Sequence, residues 1–493
     1  LAIGYTVVMS WIFKYTFMAI SGSLFAMGQD MSLIGPAFDA AAPGCESFGE
    51  GIGMMISNGI FGIGNGVWLL IGLVVGSILI IVVGLISPNL GSASIGEGIR
   101  LVFFGIVSTG RNAAGTLTWG FNPQNIGNML FRATPLILTG LSVAVAFKTG
   151  LFNIGAPGQY LMGTMATLAI ALGIPADAMP KPLLWLLAFL GGILAGALWG
   201  CIPGMVKALL NINEVLACIM TNWIAANVVT WFFDATKVFQ NTVENTKTSY
   251  IYKTTYGKTL VDGVWTYVDG NGVSTAKLGL DKLFPGSQVN AGFLIAILFA
   301  IGVYILMTKT TLGYQLKACG ANRHSARYAG INDKRNIVLS MAIAGALSGA
   351  GAALYWLAGN TEFFWSTYQS LPAIGFNGIP VALLASNNPI AVIFTGIFMS
   401  MLNIVGLQLT KLTAYNEYIT DVIISVIVYL SAFSLVIRML FTRRRKGKKE
   451  AAVPASATQL AEAAVGAAET LPTAETPPDT AVDADSGKGG DEV

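Results

Sequence analysis

Two short stretches of this sequence combine carboxamide side chains and phenylalanine with glycine and proline inside apolar surroundings. The first runs from Gly150 to Gln159 (GLFNIGAPGQ) and the second from Ile374 to Pro380 (IGFNGIP). Carboxamides can hydrogen-bond to sugar hydroxyls or to the edge of a nucleobase, and a phenylalanine ring can stack on a base, without a charge that would attract ions. A loop turn whose amides are satisfied within the protein is the alternative interpretation.

A third polar group lies in the middle of an apolar run that begins at Asn213. Asn222 needs a hydrogen-bond partner if this run crosses a membrane, and such an asparagine more often joins two helices than binds a solute. Non-helical backbone at membrane depth is tolerated only where protein covers it or where it lines a wet cavity, so the interrupted stretches indicate a solute path. The candidate path residues are Phe152, Asn153, Gln159, Asn222, Phe376 and Asn377.

The sequence lacks the groups that would make the chain an enzyme. No GxxxxGK[ST] phosphate-binding loop occurs, so any ATP hydrolysis must take place in a separate subunit. The single histidine, His324, lies in a basic loop, and the four cysteines are widely spaced without a CxxC pair. We therefore expect no catalytic residue, no metal site and no cofactor.

Few ionisable side chains lie within the apolar runs. The candidates, Glu214 and Asp421, fall near the ends of runs, where interfacial or packing roles are favoured over a proton relay. An ion-coupled secondary transporter of small polar solutes therefore stays open as an alternative, although the sequence gives it little support.

The apolar runs must position the polar groups. Of the 493 residues, 54% are hydrophobic and 11% are charged, and the mean hydropathy is +0.66. The runs of spanning length are 67–87, 183–206, 213–233, 290–307, 337–357, 389–408 and 418–440, and the shorter pieces are 134–147, 160–174 and 372–386. This pattern predicts an all-α fold, a polytopic transmembrane helix bundle of about 8–10 spans with short broken helices near the midplane.

Glycine and alanine crowd two of the long runs. Gly191, Gly192, Gly196 and Gly200 lie in the first run, and the second contains Ala342, Ala344, Gly345, Gly349 and Gly351. Small residues at such positions let two helix backbones approach closely. We therefore expect these faces to pack helix against helix.

Lysine and arginine set the expected orientation. They gather in the loop 308–335 and just after the last apolar run, and both places should be cytoplasmic. The number of spans between them is then even only if the piece 372–386 crosses the membrane. The long loop 234–288 should be extracellular, and its stretch 264–273, which contains DGNG, is typical of a hairpin. We expect a multi-pass protein of the cell membrane with a cytoplasmic C-terminus.

The pattern divides the chain into three regions. Residues 1–66 form an N-terminal region with a possible extra span, and residues 67–441 form the transmembrane domain. Residues 442–493 begin with a basic run and continue as an acidic stretch poor in aromatic residues, which predicts a disordered cytoplasmic tail. The net charge of +3 is small and gathered in loops, so it does not indicate nucleic-acid binding.

The basic loop contains a stretch that can form a short amphipathic helix. This stretch runs from Leu316 to Ile331 (LKACGANRHSARYAGI) and has small residues on one face. Such a helix lying against a membrane suits docking into a groove on an ATPase. A solvated basic loop without a role is the alternative.

Four segments together resemble permeases of the ABC importer superfamily that serve branched-chain amino acids, ribose-type sugars and nucleosides. They are Leu141–Gly163, Asn213–Ala225, Gly320–Ile331 and Phe376–Asn388, and the resemblance covers about residues 67 to 440. The pattern FNIG followed by GQ is most similar to the nucleoside and simple-sugar branch. Many relatives have glutamate where this chain has Pro157, so any role of that acid does not transfer.

The resemblance implies an importer permease subunit that carries nucleosides or related simple sugars. It implies that the 308–335 loop is the coupling element that touches the ATPase. The residues expected there are Gly320, Asn322, Arg323, Ala326, Tyr328 and Gly330, of which all but the arginine and the tyrosine match the family pattern. The implied partners are an ATP-binding cassette ATPase subunit, a second permease subunit, an extracellular solute-binding (lipo)protein and the lipid bilayer.

Overall fold

The computed structural model describes residues 66–86, 92–241, 249–364, 370–413, 415 and 419–426. Nearly all of the predicted N-terminal region 1–66 and the whole tail 442–493 lie outside these residues. The helices are α1 (Gly66–Ile86), α2 (Ser92–Phe104), α3 (Pro123–Lys148), α4 (Ala156–Gly173), α5 (Lys181–Leu210), α6 (Glu214–Ala235), α7 (Leu280–Leu283), α8 (Gly292–Lys309), α9 (Thr311–Ala321), α10 (Arg323–Tyr328), α11 (Asp333–Trp356), α12 (Ala373–Leu384) and α13 (Pro389–Leu412). The strands are β1 (Ser108–Arg111), β2 (Leu117–Trp119), β3 (Tyr250–Ile251), β4 (Tyr256–Val261), β5 (Val264–Asp269) and β6 (Phe363–Phe364).

Long apolar helices dominate the described part of the chain. Six of them, α3, α5, α6, α8, α11 and α13, are long and apolar enough to cross a membrane. The strands form three antiparallel pairs of two strands each, β1 with β2, β3 with β6 and β4 with β5. The chain is a multi-pass membrane protein built as an all-α polytopic bundle, and the predicted fold class is confirmed.

One of the three pieces predicted to be short belongs to a full-length helix. Residues 134–147 lie within α3, which has 26 residues and begins at Pro123. The Asn122 side chain caps this helix by accepting a hydrogen bond from the Asn125 N–H at 3.1 Å. The polar residues Gln124, Asn125, Asn128 and Arg132 hid the start of the helix from hydropathy, so the prediction of a short piece here is wrong. The piece 372–386 is indeed short, since α12 has 12 residues, whereas the piece 160–174 belongs to α4, whose 18 residues equal the length of α8.

Helices α5 and α11 pack with their backbones in contact. A Cβ on Gly196 would fall 2.9 Å from the Gly349 Cα, and one on Gly200 would fall 3.1 Å from the Gly345 Cα. Such distances leave no room for any side chain at the crossing. The predicted packing of the glycine faces is confirmed for these residues.

The opposite side of α5 faces away from the protein. Leucines recur there every three or four residues and are 44–61% exposed: Leu183, Leu186, Leu190, Leu194 and Leu198. An apolar row of this length on a spanning helix faces lipid. The glycine face and the leucine face thus fix the rotation of α5 about its own axis.

The two ends of the bundle differ in character. We call the end formed by residues 309–335, which includes α9 and α10, the basic face, and the end that carries the β4–β5 hairpin the hairpin face. Helix α8 connects them, because it begins beside the segment that follows the hairpin, where the Ala291 N–H donates to the Ala276 carbonyl at 2.9 Å, and ends at Lys309. The hairpin turns at Asp262 and Gly263, whose φ values are +50° and +78°. The predicted hairpin at 264–273 is therefore wrong, since residues 264–269 form the second strand.

Candidate translocation site

The first interrupted stretch separates α3 from α4. Gly150 ends α3 with a left-handed φ of +73°, and the Leu151 N–H donates to the Ala146 carbonyl at 2.9 Å, as in a Schellman motif. The backbone then runs without α-helix to Gly155, and both Leu151 and Asn153 are buried. Protein covers this non-helical segment, as the hydrocarbon of a membrane requires.

The stretch rises from the basic face into the interior of the bundle. At its lower end the Ser340 hydroxyl donates to the Thr149 hydroxyl at 2.9 Å, and at its upper end the Ser348 hydroxyl donates to the Ala156 carbonyl at 2.8 Å. Both serines lie on α11, and a separation of eight residues is about 12 Å along a helix. Helix α4 therefore begins beside the interior of α11, and not level with either end of α11.

The side chains of Asn153 and Gln159 hydrogen-bond to each other across the start of α4. The Asn153 amide nitrogen donates to the Gln159 oxygen at 2.9 Å, and the Gln159 nitrogen donates back at 3.2 Å. Asn153 also donates to Ser142 and accepts from the Gly155 N–H at 3.0 Å. Both carboxamides are buried, so in this conformation they hold the segment together. Their contact with solute stays a prediction.

Asn222 joins α6 to the same segment. Its side-chain oxygen accepts from the Gly158 N–H at 2.9 Å, and its nitrogen donates to the Ile154 carbonyl at 2.9 Å. The side chain is 2% exposed. This geometry is the helix-joining one that an asparagine in lipid adopts, and a further role as a solute ligand stays a prediction.

The second interrupted stretch lies directly against the first. A Cβ on Gly375, in the first turn of α12, would fall 2.5 Å from the Pro157 Cα in the first turn of α4. One turn further, a Cβ on Gly378 would fall 2.6 Å from the Thr139 carbonyl carbon, and the Thr139 hydroxyl donates to the Ile374 carbonyl at 3.3 Å. The structure thus brings together two segments that are more than 200 residues apart in the sequence.

The remaining path residues are half-buried. Phe152 packs against Phe147 with ring centroids 5.0 Å apart, and Phe376 packs against the apolar core from α12. The Asn377 side chain makes no hydrogen bond to the part of the chain that the structure describes. Its carboxamide is therefore free to bind another polar group, in contrast to those of Asn153 and Asn222.

The residues predicted for coupling form a compact structure on the basic face. Asn322 caps α10 by accepting from the His324 and Ser325 N–H groups, Ala326 is buried, and Gly330 ends the helix with a φ of +78°. Two arginines converge on Asp333, Arg323 at 3.0 Å and Arg327 at 2.9 Å. Tyr328 projects freely, 94% exposed, and Gly320 lies against the end of α3.

Several hydroxyl groups beside the two interrupted stretches were not among the predicted site residues. Thr139, Ser142, Ser340 and Ser348 each hydrogen-bond to one of the interrupted stretches or to the turn that precedes it. They lie within apolar helices, where a hydroxyl needs a partner, and that need was the available signal. The buried Tyr160 hydroxyl, in the first turns of α4, has no partner among the described residues.

Comparison with known proteins shows the family to which the chain belongs. Residues 125–432 match the family described as branched-chain amino acid transport system / permease component. The chain is 34% identical over 348 residues to the nucleoside ABC transporter permease protein NupB of Lactococcus lactis subsp. cremoris (strain MG1363), covering 67% of this chain and 89% of that protein.

Two further relatives cover similar stretches. The guanosine ABC transporter permease protein NupP of Bacillus subtilis (strain 168) is 32% identical over 74% of this chain and 97% of its own length. The glucose ABC transporter permease protein TsgB13 of Haloferax volcanii (strain ATCC 29605) is 30% identical over 59% of this chain and 70% of its own length. The matched residues include both interrupted stretches and the basic face, and the chain belongs to the branched-chain amino acid transport system permease family.

Proposed function

We propose that this chain is the membrane permease subunit of an ATP-binding cassette importer that carries nucleosides into the cell. The observation that carries the proposal is the similarity to NupB and NupP, which are named for nucleoside and guanosine transport and are matched over 89% and 97% of their lengths. The subunit carries out transport and is not an enzyme, and a separate subunit supplies ATP hydrolysis.

The polar groups near the two interrupted stretches suit an uncharged solute. Asn377 offers a free carboxamide and Phe376 a half-buried ring on the same turn of α12. An amide and an aromatic ring can bind the hydroxyls and the base of a nucleoside without attracting ions. We infer that the solute passes where α12 meets α4 once the Gly375–Pro157 contact opens.

The basic face is the docking site for the ATPase subunit in this proposal. Its clustered lysines and arginines favour a cytoplasmic location for this face and for the C-terminus. Tyr328, exposed on α10, is available to a partner, while Arg323 and Arg327 are held by Asp333. The hairpin face then lies outside the cell, where an extracellular solute-binding protein delivers the nucleoside, and a second permease subunit completes the path.

Uptake of a labelled purine nucleoside tests the proposal. Cells with and without the chain are challenged with excess uridine, ribose, free base or leucine. We expect uptake to require the chain and to be reduced only by nucleosides. Competition by ribose or by leucine would instead indicate that the chain belongs to another branch of the family.

Collapse of the ion gradients at constant ATP separates the importer from an ion-coupled carrier. Uptake through the proposed importer should continue after addition of a protonophore as long as ATP is maintained. Loss of uptake under these conditions would favour the secondary transporter. Depletion of ATP with intact gradients is the matched experiment and should stop uptake.

A further inference from the structure

The end of α9 lies backbone against backbone on the turn that ends α3. A Cβ on Gly320 would fall 2.5 Å from the Lys148 carbonyl oxygen and 2.9 Å from the Gly150 nitrogen. A Cβ on Gly150 would in turn fall 3.1 Å from the Gly320 Cα. Because no side chain separates the two segments, a displacement of α9 toward α3 acts on this turn directly.

The turn continues into the first interrupted stretch without a flexible spacer. Leu151, the next residue, is buried, and Asn153 is tied to Gln159 on the far side of the stretch. Asn222 holds the same stretch through Ile154 and Gly158. These hydrogen bonds make the segment between the turn and α4 a single connected unit, which should move as a body when the turn moves.

The far end of this unit touches the second interrupted stretch. Pro157 lies in the first turn of α4, and its backbone is in contact with Gly375 of α12. The connected unit therefore has a backbone contact at each end. Gly320 contacts Gly150 at one end, and Pro157 contacts Gly375 at the other. Together they form a continuous line of packed backbone from the basic face to the meeting point of α4 and α12.

Helix α11 provides a reference against which the turn can move. The Ser340 hydroxyl of α11 donates to the Thr149 hydroxyl in the turn at 2.9 Å, and Asn336 donates to the Cys319 sulfur of α9 at 3.5 Å. Helix α11 is itself fixed to α5 by their glycine contacts. Movement of the turn relative to α11 thus requires the Ser340–Thr149 hydrogen bond to break.

We propose that the Thr149–Gly150 turn is the point at which movement of the basic-face helices enters the solute path, with Gly320 and Gly150 as positioning residues. The proposal rests on the proposed function, since it takes the basic face as the site that the ATPase moves. It assigns the transmission step to a contact between two glycines and leaves α10, with Tyr328, to contact the ATPase.

The number of nucleoside molecules imported per ATP hydrolysed tests this role. The complete importer is reconstituted in proteoliposomes with Gly320→Ala or with Gly302→Ala, a control at a helical glycine of α8 whose added Cβ meets nothing within 4 Å. We expect Gly320→Ala to lower the ratio roughly tenfold while ATP hydrolysis continues, a change typical of coupling between sites. The control should leave the ratio unchanged, and an unchanged ratio for Gly320→Ala would overturn the proposal.

Gly150, the glycine of the turn with a left-handed backbone, allows a second variant to be compared with a matched control. Gly150→Ala places a methyl group against Gly320, whereas Gly115→Ala imposes a similar backbone strain, at a φ of +78°, where nothing lies within 4 Å. A defect in backbone conformation alone would affect both variants equally. We expect the ratio of import to hydrolysis to fall only for Gly150→Ala.

A reversible cross-link tests the same step if the glycine variants do not reach the membrane. Thr149→Cys and Ser340→Cys are combined, since the native hydroxyl oxygens lie 2.9 Å apart. Oxidation should stop import and reduction should restore it in the same preparation, while neither treatment changes the import rate of either single variant. Full import by the oxidised protein would overturn the proposal, because the turn would then not need to move against α11.

These results can be distinguished from failure of the proposed function. If the unaltered importer carries a different solute, the nucleoside proposal fails but the ratio of import to hydrolysis is measured with that solute instead. The glycine variants then still decide whether the turn transmits the movement. If the unaltered chain carries no solute in an ATP-dependent manner, both proposals fail.

Discussion

At the scale of single residues, the carboxamides near the path divide into two kinds. Asn153, Gln159 and Asn222 are buried and bonded to their neighbours, so their first effect is to hold the interrupted stretch in shape. Asn377 is half-buried and makes no hydrogen bond within the described part of the chain. The two kinds should therefore respond differently to substitution.

Asn377→Ala should weaken solute binding without harming the fold. Loss of one hydrogen bond to an uncharged group raises the apparent KM for nucleoside uptake roughly two- to tenfold. Concentration-dependent uptake measures this change, with membrane levels compared by immunoblot. Asn227→Ala, at an exposed asparagine of α6, is the control and should have no effect. An unchanged KM in Asn377→Ala would remove this residue from the path.

Asn153→Ala should act mainly on stability. It leaves the Gln159 carboxamide and the Gly155 N–H buried without their partner, which costs roughly 1–3 kcal/mol of the free energy of unfolding. Thermal unfolding of the purified protein in detergent measures this loss against Asn227→Ala. A protein of normal stability with abolished uptake would instead indicate that Asn153 binds the solute.

The sequence indicated these carboxamides because they stand beside glycine and proline in apolar runs. It could not indicate which of them form hydrogen bonds within the protein. The partner of Asn222 is the backbone around Gly158, which lies 64 residues earlier in the chain. Such pairings depend on how helices pack in three dimensions, and hydropathy along one chain does not contain that information.

At the scale of elements, α5 and α11 pack backbone against backbone at two pairs of glycines. Gly196→Val should force their backbones apart and lower the free energy of unfolding by roughly 1–3 kcal/mol, as overpacking does. Gly302→Val at an open position of α8 is the control. Thermal unfolding in detergent compares the two, and equal stability would mean that the glycine contact contributes little.

Movement of α9 should change the reactivity of the Cys319 thiol. Burial raises the pKa of this thiol, although a hydrogen bond from Asn336 lowers it, so at neutral pH the thiol is protonated and reacts slowly with maleimide. If α9 moves away from Asn336 during the ATP cycle, labelling should rise several-fold in the nucleotide-trapped importer. Peptide mass mapping measures this, with Cys201 on α5 as the internal control.

Unequal reactivity of the two thiols is the result that supports movement of α9. Equal changes at Cys319 and Cys201 would indicate general loosening of the protein. No change at Cys319 would mean that α9 stays in place while ATP is bound, and the basic face would then have to transmit movement through α10.

Elements were predictable where hydropathy alone defines them. The spans that became α5, α6, α8, α11 and α13 were all found, because each is a long apolar run. The start of α3 was missed because polar residues recur from Gln124 to Arg132 and because the Asn122 cap stabilises a first turn that hydropathy does not detect. The hairpin was misplaced because two turn sequences, DG at 262–263 and DGNG at 269–272, compete within a few residues.

At the scale of the whole molecule, the contact between the two interrupted stretches could not be predicted from the sequence. Pairing of Gly375 with Pro157 requires α3, α4 and α12 to converge, and only the resemblance between the stretches hinted at a shared location. The bundle and the family were nevertheless predictable, whereas the role of the basic loop in coupling stays a prediction. They follow from composition, from basic residues and from motifs that survive without three-dimensional context.

Gly375→Val should hold the two stretches apart and make the permease leak. Its side chain would overlap Pro157, so we expect nucleoside to equilibrate across proteoliposomes without ATP. Efflux of preloaded labelled nucleoside measures the leak, with Gly302→Val as the control. A variant that neither leaks nor imports nucleoside would indicate that the contact does not close the path.

The contact at Pro157 and Gly375 contains no side chain that can swing aside. A barrier made of backbone opens only when whole helices shift, which requires many contacts to change together. In the path that we propose, fluctuation of a single side-chain rotamer therefore cannot let solute return. An importer sealed in this way keeps the gradient it has built while idle, and the cell loses no accumulated solute between rounds of ATP hydrolysis.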